Sequence, residues 1–229
     1  MTTVLITGAN RGIGLELTRQ YAADGADVIA CARDLGAAAD LKALSDAHGN
    51  IRLETVDVDD AASVSTLKQK LGAAPIDILI NNAGVMGGGA QGLADVDYDA
   101  WSHCLSVNVM GPFRMIAAFK DNVAASTRKT IVTLSSQMGS IGEASGGMTI
   151  YRSSKSAVNM VMKVLSEDLK ADGVIVLPVH PGWVQTDMGG PGALLTPEES
   201  VTGLKAVIGK ATLEQSGRFW RFDGEEAPW

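Results

Sequence analysis

From residue 3 onward the chain alternates two hydrophobic patterns. Short continuous apolar runs, many of them rich in β-branched residues, are separated by longer stretches whose apolar positions recur every three or four residues. The first pattern predicts strands buried on both faces, the second amphipathic helices. Strands are expected at 3–7, 27–32, 51–56, 76–80, 130–136, 174–179 and 218–222. Between them, helices are expected after Gly12, with Ile13, Leu17 and Tyr21 on one face and a stop at Gly25, then at 35–47, 60–72, 97–124, from about Ile150, and at 197–210. Asp34 reads as the cap of the second helix and Asp59 or Asp60 as the cap of the third. Thr196, Pro197 and Glu199 carry the pattern of a capping box with proline at the first helical position.

Strand and helix in strict alternation imply parallel pairing, and right-handed crossovers place helices on both faces. The expected fold is therefore α/β, a doubly wound (Rossmann) parallel sheet of about seven strands. No linker, low-complexity segment or internal repeat interrupts residues 1–229, which are read as a single domain. In such a sheet ligands bind beyond the carboxyl ends of the strands, so the residues just after each strand carry the functional interest.

Composition narrows the partners. The chain is 46% hydrophobic with 26 Gly and 7 Pro, enough to bury a sizeable core. Its 26 acidic and 19 basic residues leave a net charge of -7, and no basic run appears. That balance argues against nucleic acid and anionic membranes as partners and for a small soluble ligand. No positively charged leader opens the chain, and no apolar run approaches the ~20 residues of a membrane span, so a cytoplasmic location is expected. Cys31 and Cys104 sit in apolar runs without Cys-x-x-Cys spacing and read as reduced core residues. His48, His103 and His180 lack metal-ligand spacing, and no metal site is expected.

Three stretches carry chemistry. The first expected strand runs into "GANRGIG", Gly8 to Gly14, at the start of a helix. Glycines there permit a tight turn and let backbone N–H groups reach a pyrophosphate at the positive end of the helix. "YRSSK" puts Tyr151 and Lys155 four residues apart, on one helical face. An ammonium about 4 Å from a phenol would stabilise the phenolate by about 4 kcal/mol at an effective dielectric of about 20. That is equivalent to a downward shift of about three pKa units, toward neutral pH. "SS" at Ser135 and Ser136 closes the fifth expected strand and offers a hydroxyl for a developing oxyanion.

Thr7, Gly8, Gly12 and Gly14 follow the Thr-Gly-x-x-x-Gly-x-Gly spacing and, with "NNAG" at Asn81 to Gly84, resemble the short-chain dehydrogenase/reductase family. "DV" at Asp57 and Val58, "SVNVMGP" around Asn108, "YRSSK" and "HPGWVQT" extend that resemblance over almost the whole chain. It implies an oxidoreductase that interconverts a carbonyl and an alcohol with a nicotinamide cofactor. By the same resemblance Asn108, Ser136, Tyr151 and Lys155 are the catalytic set, with Ser136 chosen over Ser135. Asn108 would kink its helix and hold a water that links Lys155 to solvent. Gly8, Asn10, Arg11, Gly12, Ile13, Gly14, Asp57, Val58, Asn81, Ala83 and Gly84 would contact the cofactor. So would Tyr151, Lys155, Pro181, Gly182, Val184 and Thr186.

Arg33, just past the second strand, suits a 2′-phosphate, with Arg11 flanking it, so NADP(H) is the expected cofactor. Asp34 is the competing reader that would admit NAD(H). The segment 137–150 is slightly longer than in most of the family and is expected to form one wall of the substrate site. The lid after Thr186 is short, and Trp183 and Met188 either border the site or pack elsewhere. The ending "FDGEEAPW" and the short lid resemble a subgroup that includes sniffer-type carbonyl reductases and C-factor, an intercellular signalling protein. The subgroup brings an alternative in which a signalling role outweighs dehydrogenase activity. Val109, Phe113, Val158, Met162 and Leu165 make more apolar helix surface than one sheet face needs. By resemblance they form a homodimer or homotetramer interface.

Overall fold

The computed structural model describes residues 1–229. Its strands are β1 (Thr3–Thr7), β2 (Asp27–Ala32), β3 (Ile51–Thr55), β4 (Ile78–Asn81), β5 (Thr130–Leu134), β6 (Ile175–His180) and β7 (Trp220–Arg221). They form one sheet in the order β3-β2-β1-β4-β5-β6-β7, with every pairing parallel. The helices are α1 (Gly12–Ala23), α2 (Ala39–Ala47), α3 (Ala61–Leu71), α4 (Tyr98–Leu105), α5 (Gly111–Ala124), α6 (Thr149–Asp168) and α7 (Pro197–Gly209).

Alternation along each strand explains why the strands are apolar throughout. Val4 and Ile6 of β1 pack with Leu17 and Tyr21 of α1 and Leu204 of α7, on one face. Leu5, between them, packs with Met115 and Phe119 of α5 and Met162 of α6 on the other. Ile78 and Ile80 against Leu79 repeat the division in β4. Each fully buried Leu or Ile contributes about 1.5–3 kcal/mol at most by area, so two covered faces outweigh any single capping contact. No helix is long and apolar enough to cross a membrane. Cys31 and Cys104 are both buried and unpaired, as expected.

Several boundaries move for identifiable reasons. The helix expected at 97–124 is α4 and α5 joined by a π turn over Ser106–Met110. Asp34 does not cap α2: its Oδ1 accepts the N–H of Gly36 at 2.7 Å in a local turn, and α2 begins only after Ala38. Asp60, by contrast, caps α3 by accepting the N–H of Ala62. The Thr196–Glu199 capping box forms. The last strand shrinks to two residues because the chain turns back at Asp223–Glu225, where Arg221 donates its N–H to the Glu225 carbonyl at 2.8 Å.

The apolar surface assigned to an interface also needs correction. Val158 and Met162 are wholly buried against the sheet, and Val109 and Leu165 pack on the same core. Their apolar character is spent inside the protomer. Of the five, only Phe113 is exposed; the other exposed apolar side chains on these helices are Met110, Met160 and Val164.

Candidate active site

The glycine loop leaves β1 at Thr7, with Gly8 and Gly12 at φ +65° and +53°. A Cβ on Gly8 would sit 2.9 Å from the Ala83 Cα, and one on Gly14 only 2.1 Å from the Gly8 carbonyl oxygen. Only glycine allows β1, α1 and the end of β4 to approach this closely. Arg11, at the N-cap of α1, makes no side-chain hydrogen bond to the first turn, and that turn holds no acidic residue. The amides of Gly12, Ile13 and Gly14 thus present partial positive charge with no capping side chain in the way. Such a cradle fits the pyrophosphate of a dinucleotide.

The second cluster lies past β4 and β5. Tyr151 and Lys155 are both buried on α6. Ser136 ends the extended chain after β5, and its hydroxyl accepts the Met138 N–H at 3.2 Å. Ser135 is turned the other way, donating to the Lys155 carbonyl at 3.4 Å. The Lys155 Nζ donates to the Leu134 carbonyl at 2.8 Å, one acceptor for three N–H groups. A Cβ built on Gly84 would lie 3.2 Å from Asn108 Oδ1 and 3.8 Å from Lys155 Nζ. Gly84, Asn108 and Lys155 therefore converge at one point beyond the sheet.

Residues 2–192 match the model of the family described as short chain dehydrogenase. The chain belongs to that family. As a short-chain dehydrogenase it is an oxidoreductase, and similar proteins agree. A dehydrogenase of Rhodococcus sp. (strain AD45) that acts on 1-hydroxy-2-glutathionyl-2-methyl-3-butene is 39% identical over all of both chains. C-signal of Myxococcus xanthus is 42% identical over 68% of this chain and 93% of its own. The NADPH-bound carbonyl reductase from chicken fatty liver superposes with a TM-score of 0.92 at 30% identity, covering 100% of this chain and 99% of its own.

The remaining expected residues of this short-chain dehydrogenase fall into place unevenly. Thr186 closes on the glycine loop, where a Cβ on Gly12 would meet its Cγ2 at 3.1 Å. Val184 is buried and bridges to Leu195, Gly182 takes φ +84°, and the Pro181 carbonyl accepts the Ser200 hydroxyl. Asp57 turns one carboxylate oxygen to the N–H of Asp59, and Val58 is buried beside it. Asn10 and Ala83 are half-buried along the cleft. Arg33 is exposed and makes no ion pair. Arg11 pairs with Asp187 at 2.7 Å, an exposed contact worth little in stability. Asn81, at the end of β4, donates to the Thr133 hydroxyl at 3.3 Å.

The brace between β1 and β4 is made by Thr7 and Asn82, both inside motifs that the sequence displays. Asn82 donates to both the Thr7 and Gly8 carbonyls at 2.9 Å, and the Thr7 hydroxyl accepts the N–H groups of Asn82 and Ala83. The second Asn of "NNAG" was the signal for it. Gln91 gave no signal at all, yet its Oε1 accepts the Tyr151 N–H at 3.1 Å and its amide donates to the Met86 and Gly88 carbonyls. It caps α6 from another loop, since Met148 at the N-cap supplies no side-chain bond.

The electrostatics reverse the sequence expectation. Burial pushes the Tyr151 phenol up to about 12, with the Ser136 hydrogen bond opposing the shift. Burial pushes Lys155 down to about 8. The expected drop in the phenol fails because Lys155 is itself desolvated and aimed at the Leu134 carbonyl, 5.7 Å from the centre of the Tyr151 ring.

Between about pH 8 and the unfolded lysine value near 10.5, the unfolded chain holds a proton that the folded chain lacks. Folding stability from this group must therefore rise with pH across that window, by up to about 3 kcal/mol. Above about pH 10 the raised phenol acts oppositely, its contribution being lost as pH climbs. Urea unfolding of Lys155→Met against wild type, measured from pH 7.5 to 10, is expected to show the wild type gaining on the variant as pH rises.

Proposed function

We propose that this short-chain dehydrogenase is an NADP(H)-dependent carbonyl reductase, interconverting a small-molecule carbonyl and its alcohol with Tyr151 as acid and base. One observation carries the reading: a buried phenol and a buried lysine one helical turn apart on α6, packed where β5 ends in Ser136. NADPH, when bound, supplies the hydride. The chain supplies the proton and the polar surroundings for the oxygen that receives it. Ser136 donates a hydrogen bond to the carbonyl oxygen, stabilising the charge that builds there. Tyr151, held protonated at neutral pH, gives its proton to that oxygen. The phenolate left behind is desolvated, and the Lys155 ammonium one turn away offsets its charge and returns a proton. Asn108 holds the loop after β4 against this site and is a positioning residue.

The glycine cradle and Thr186 would hold the pyrophosphate and nicotinamide ends of the cofactor, and Arg33 the 2′-phosphate. Arg33 is uncommitted to any carboxylate, and NADPH is bound in the chicken reductase, both of which support NADP(H) over NAD(H). The substrate is a soluble small molecule met in the cytoplasm. The likeness to C-signal favours one second reading, a signalling protein in which chemistry is secondary. We also place a homodimer contact on Met110 of the π turn, Phe113 of α5, and Met160 and Val164 of α6, all exposed in the single chain.

With NADPH and a panel of aldehydes, ketones and quinones, Tyr151→Phe is expected to lose about 10²–10⁴ in kcat while still binding NADPH. The wild-type kcat/KM for reduction should be flat below about pH 8 and fall above it as Lys155 loses its proton. A biological effect that survives in Tyr151→Phe would favour the signalling reading instead. Arg33→Asp is expected to raise the KM for NADPH by about 10–100-fold, the worth of a charge-assisted hydrogen bond, and to spare NADH. Equal wild-type use of both cofactors would end that assignment. Phe113→Glu should convert a dimer to a monomer in sedimentation equilibrium.

A further inference from the structure

Asn108 ties the π turn over Ser106–Met110 to the loop after β4, and a second set of contacts ties the same turn to the loop after β3. The Ser106 carbonyl accepts the N–H of Gly111, the widened bond that makes the turn. Arg114, in the first turn of α5, gives that carbonyl a second donor at 3.3 Å and reaches the Val58 carbonyl with the same nitrogen at 3.1 Å. Its other terminal nitrogen donates to the Ser106 hydroxyl at 3.3 Å, and that hydroxyl donates in turn to the Asp59 carboxylate. Asp59 also lies 3.5 Å from the Arg114 guanidinium and 3.3 Å from His103 Nδ1.

Close packing reinforces these polar contacts. A Cβ built on Gly111 would lie 3.0 Å from Val58 Cγ2, so the loop after β3 rests directly against the start of α5. Val58 is buried, and the Arg114 and Asp59 side chains are only 26% and 28% exposed. The pair is therefore screened less by solvent than Arg11 and Asp187, which are 70% and 75% exposed. Arg114 makes its hydrogen bonds to Val58 and Ser106 and none to Ser136, Tyr151 or Lys155, so any part it plays in the chemistry is indirect.

The loop after β3 stands at the carboxyl ends of the strands, where a doubly wound sheet takes its ligand. With a pyrophosphate at the glycine loop after β1 and a 2′-phosphate at Arg33 after β2, the adenosine half of the cofactor extends toward β3 and residues 56–59. We infer that Arg114 is a positioning residue that couples this adenosine end, through Ser106 and Asp59, to Asn108 and the loop at Val85. With Val58 held against adenosine, the π turn loses freedom, and so does the loop that Asn108 holds. The inference rests on the cofactor half of the reductase reading. It goes beyond that reading by giving the chemically inert half of the cofactor a part in ordering the catalytic side.

Hydrogen exchange at the Val85 amide, whose N–H Asn108 accepts at 2.8 Å, reads the coupling without turnover. Saturating adenosine 2′-phosphate, which carries no nicotinamide, is expected to slow that exchange about tenfold in the wild type and to leave it unchanged in Arg114→Met. Ser106→Ala keeps the guanidinium but cuts the link to Asp59. It should lose most of the slowing, and it decides the matter if Arg114→Met does not fold. Slowing of equal size in the wild type and the variants, or none in the wild type, overturns the inference. With NADPH and a carbonyl substrate, Arg114→Met should lower kcat about tenfold while the KM for the carbonyl stays within about twofold. In an Asn108→Ala background the same change should lower kcat no further, because both act through one route. A kcat unchanged by Arg114→Met, or lowered equally in both backgrounds, also overturns the inference. Slowed exchange in a wild type that turns over no carbonyl would support the coupling while ending the reductase reading.

Discussion

A single buried amide sets the geometry of the site. The Asn108 side chain accepts the Val85 N–H and donates to the Val85 carbonyl, both at 2.8 Å, while its amide also reaches the Ser154 hydroxyl at 3.0 Å. A buried amide must be satisfied on both sides, and this one is satisfied by a loop and by another helix as well as by Cys104 Sγ one turn back. The π turn over Ser106–Met110 contains Asn108 and adds one residue to that turn of helix. Through Val85 and Ser154 it locks the loop after β4, α4 and α6 together. Gly84, Lys155 and Tyr151 inherit their positions from that lock.

Desolvation then divides the labour between two side chains. A phenol raised to about 12 stays a proton donor at neutral pH, and an amine lowered to about 8 stays charged but only just. One group is poised to give a proton and the other to hold or pass one. Neither state depends on a strong attraction between the two. Both follow from the same dry environment acting with opposite sign on an acid that ionises to an anion and a base that ionises to a cation. The sequence spacing of Tyr151 and Lys155 puts both on one helical face but does not show their burial, which raises the phenol and lowers the amine.

Much of the rest was legible because it rests on local chemistry. Continuous apolar strands, the glycine loop and the Thr196 capping box are each specified by a few neighbouring residues, and the parallel sheet follows from them. What was misread depends on contacts distant in sequence. Asp34 was read as a helix cap by its type alone, whereas Gly36 gave it a closer donor. Val158 and Met162 looked surplus because two helices were set against one sheet face, and the depth of the core on that face was not visible in the sequence. Gln91 caps a helix 60 residues away, and no local pattern encodes such a bond.

The strand order carries a consequence for how the chain reaches this state. β1 lies between β2 and β4, so after pairing with β2 its other edge waits for residues 78–81 to arrive. Closing a long loop costs only slightly more than closing a short one, yet nothing rewards the closure until the partner strand docks. Until then Val4, Leu5 and Ile6 remain an apolar, uncharged edge of the kind that templates aggregation. Folding speed and cellular yield are thereby tied to how quickly the middle of the sheet is completed, independently of the stability of the finished protein.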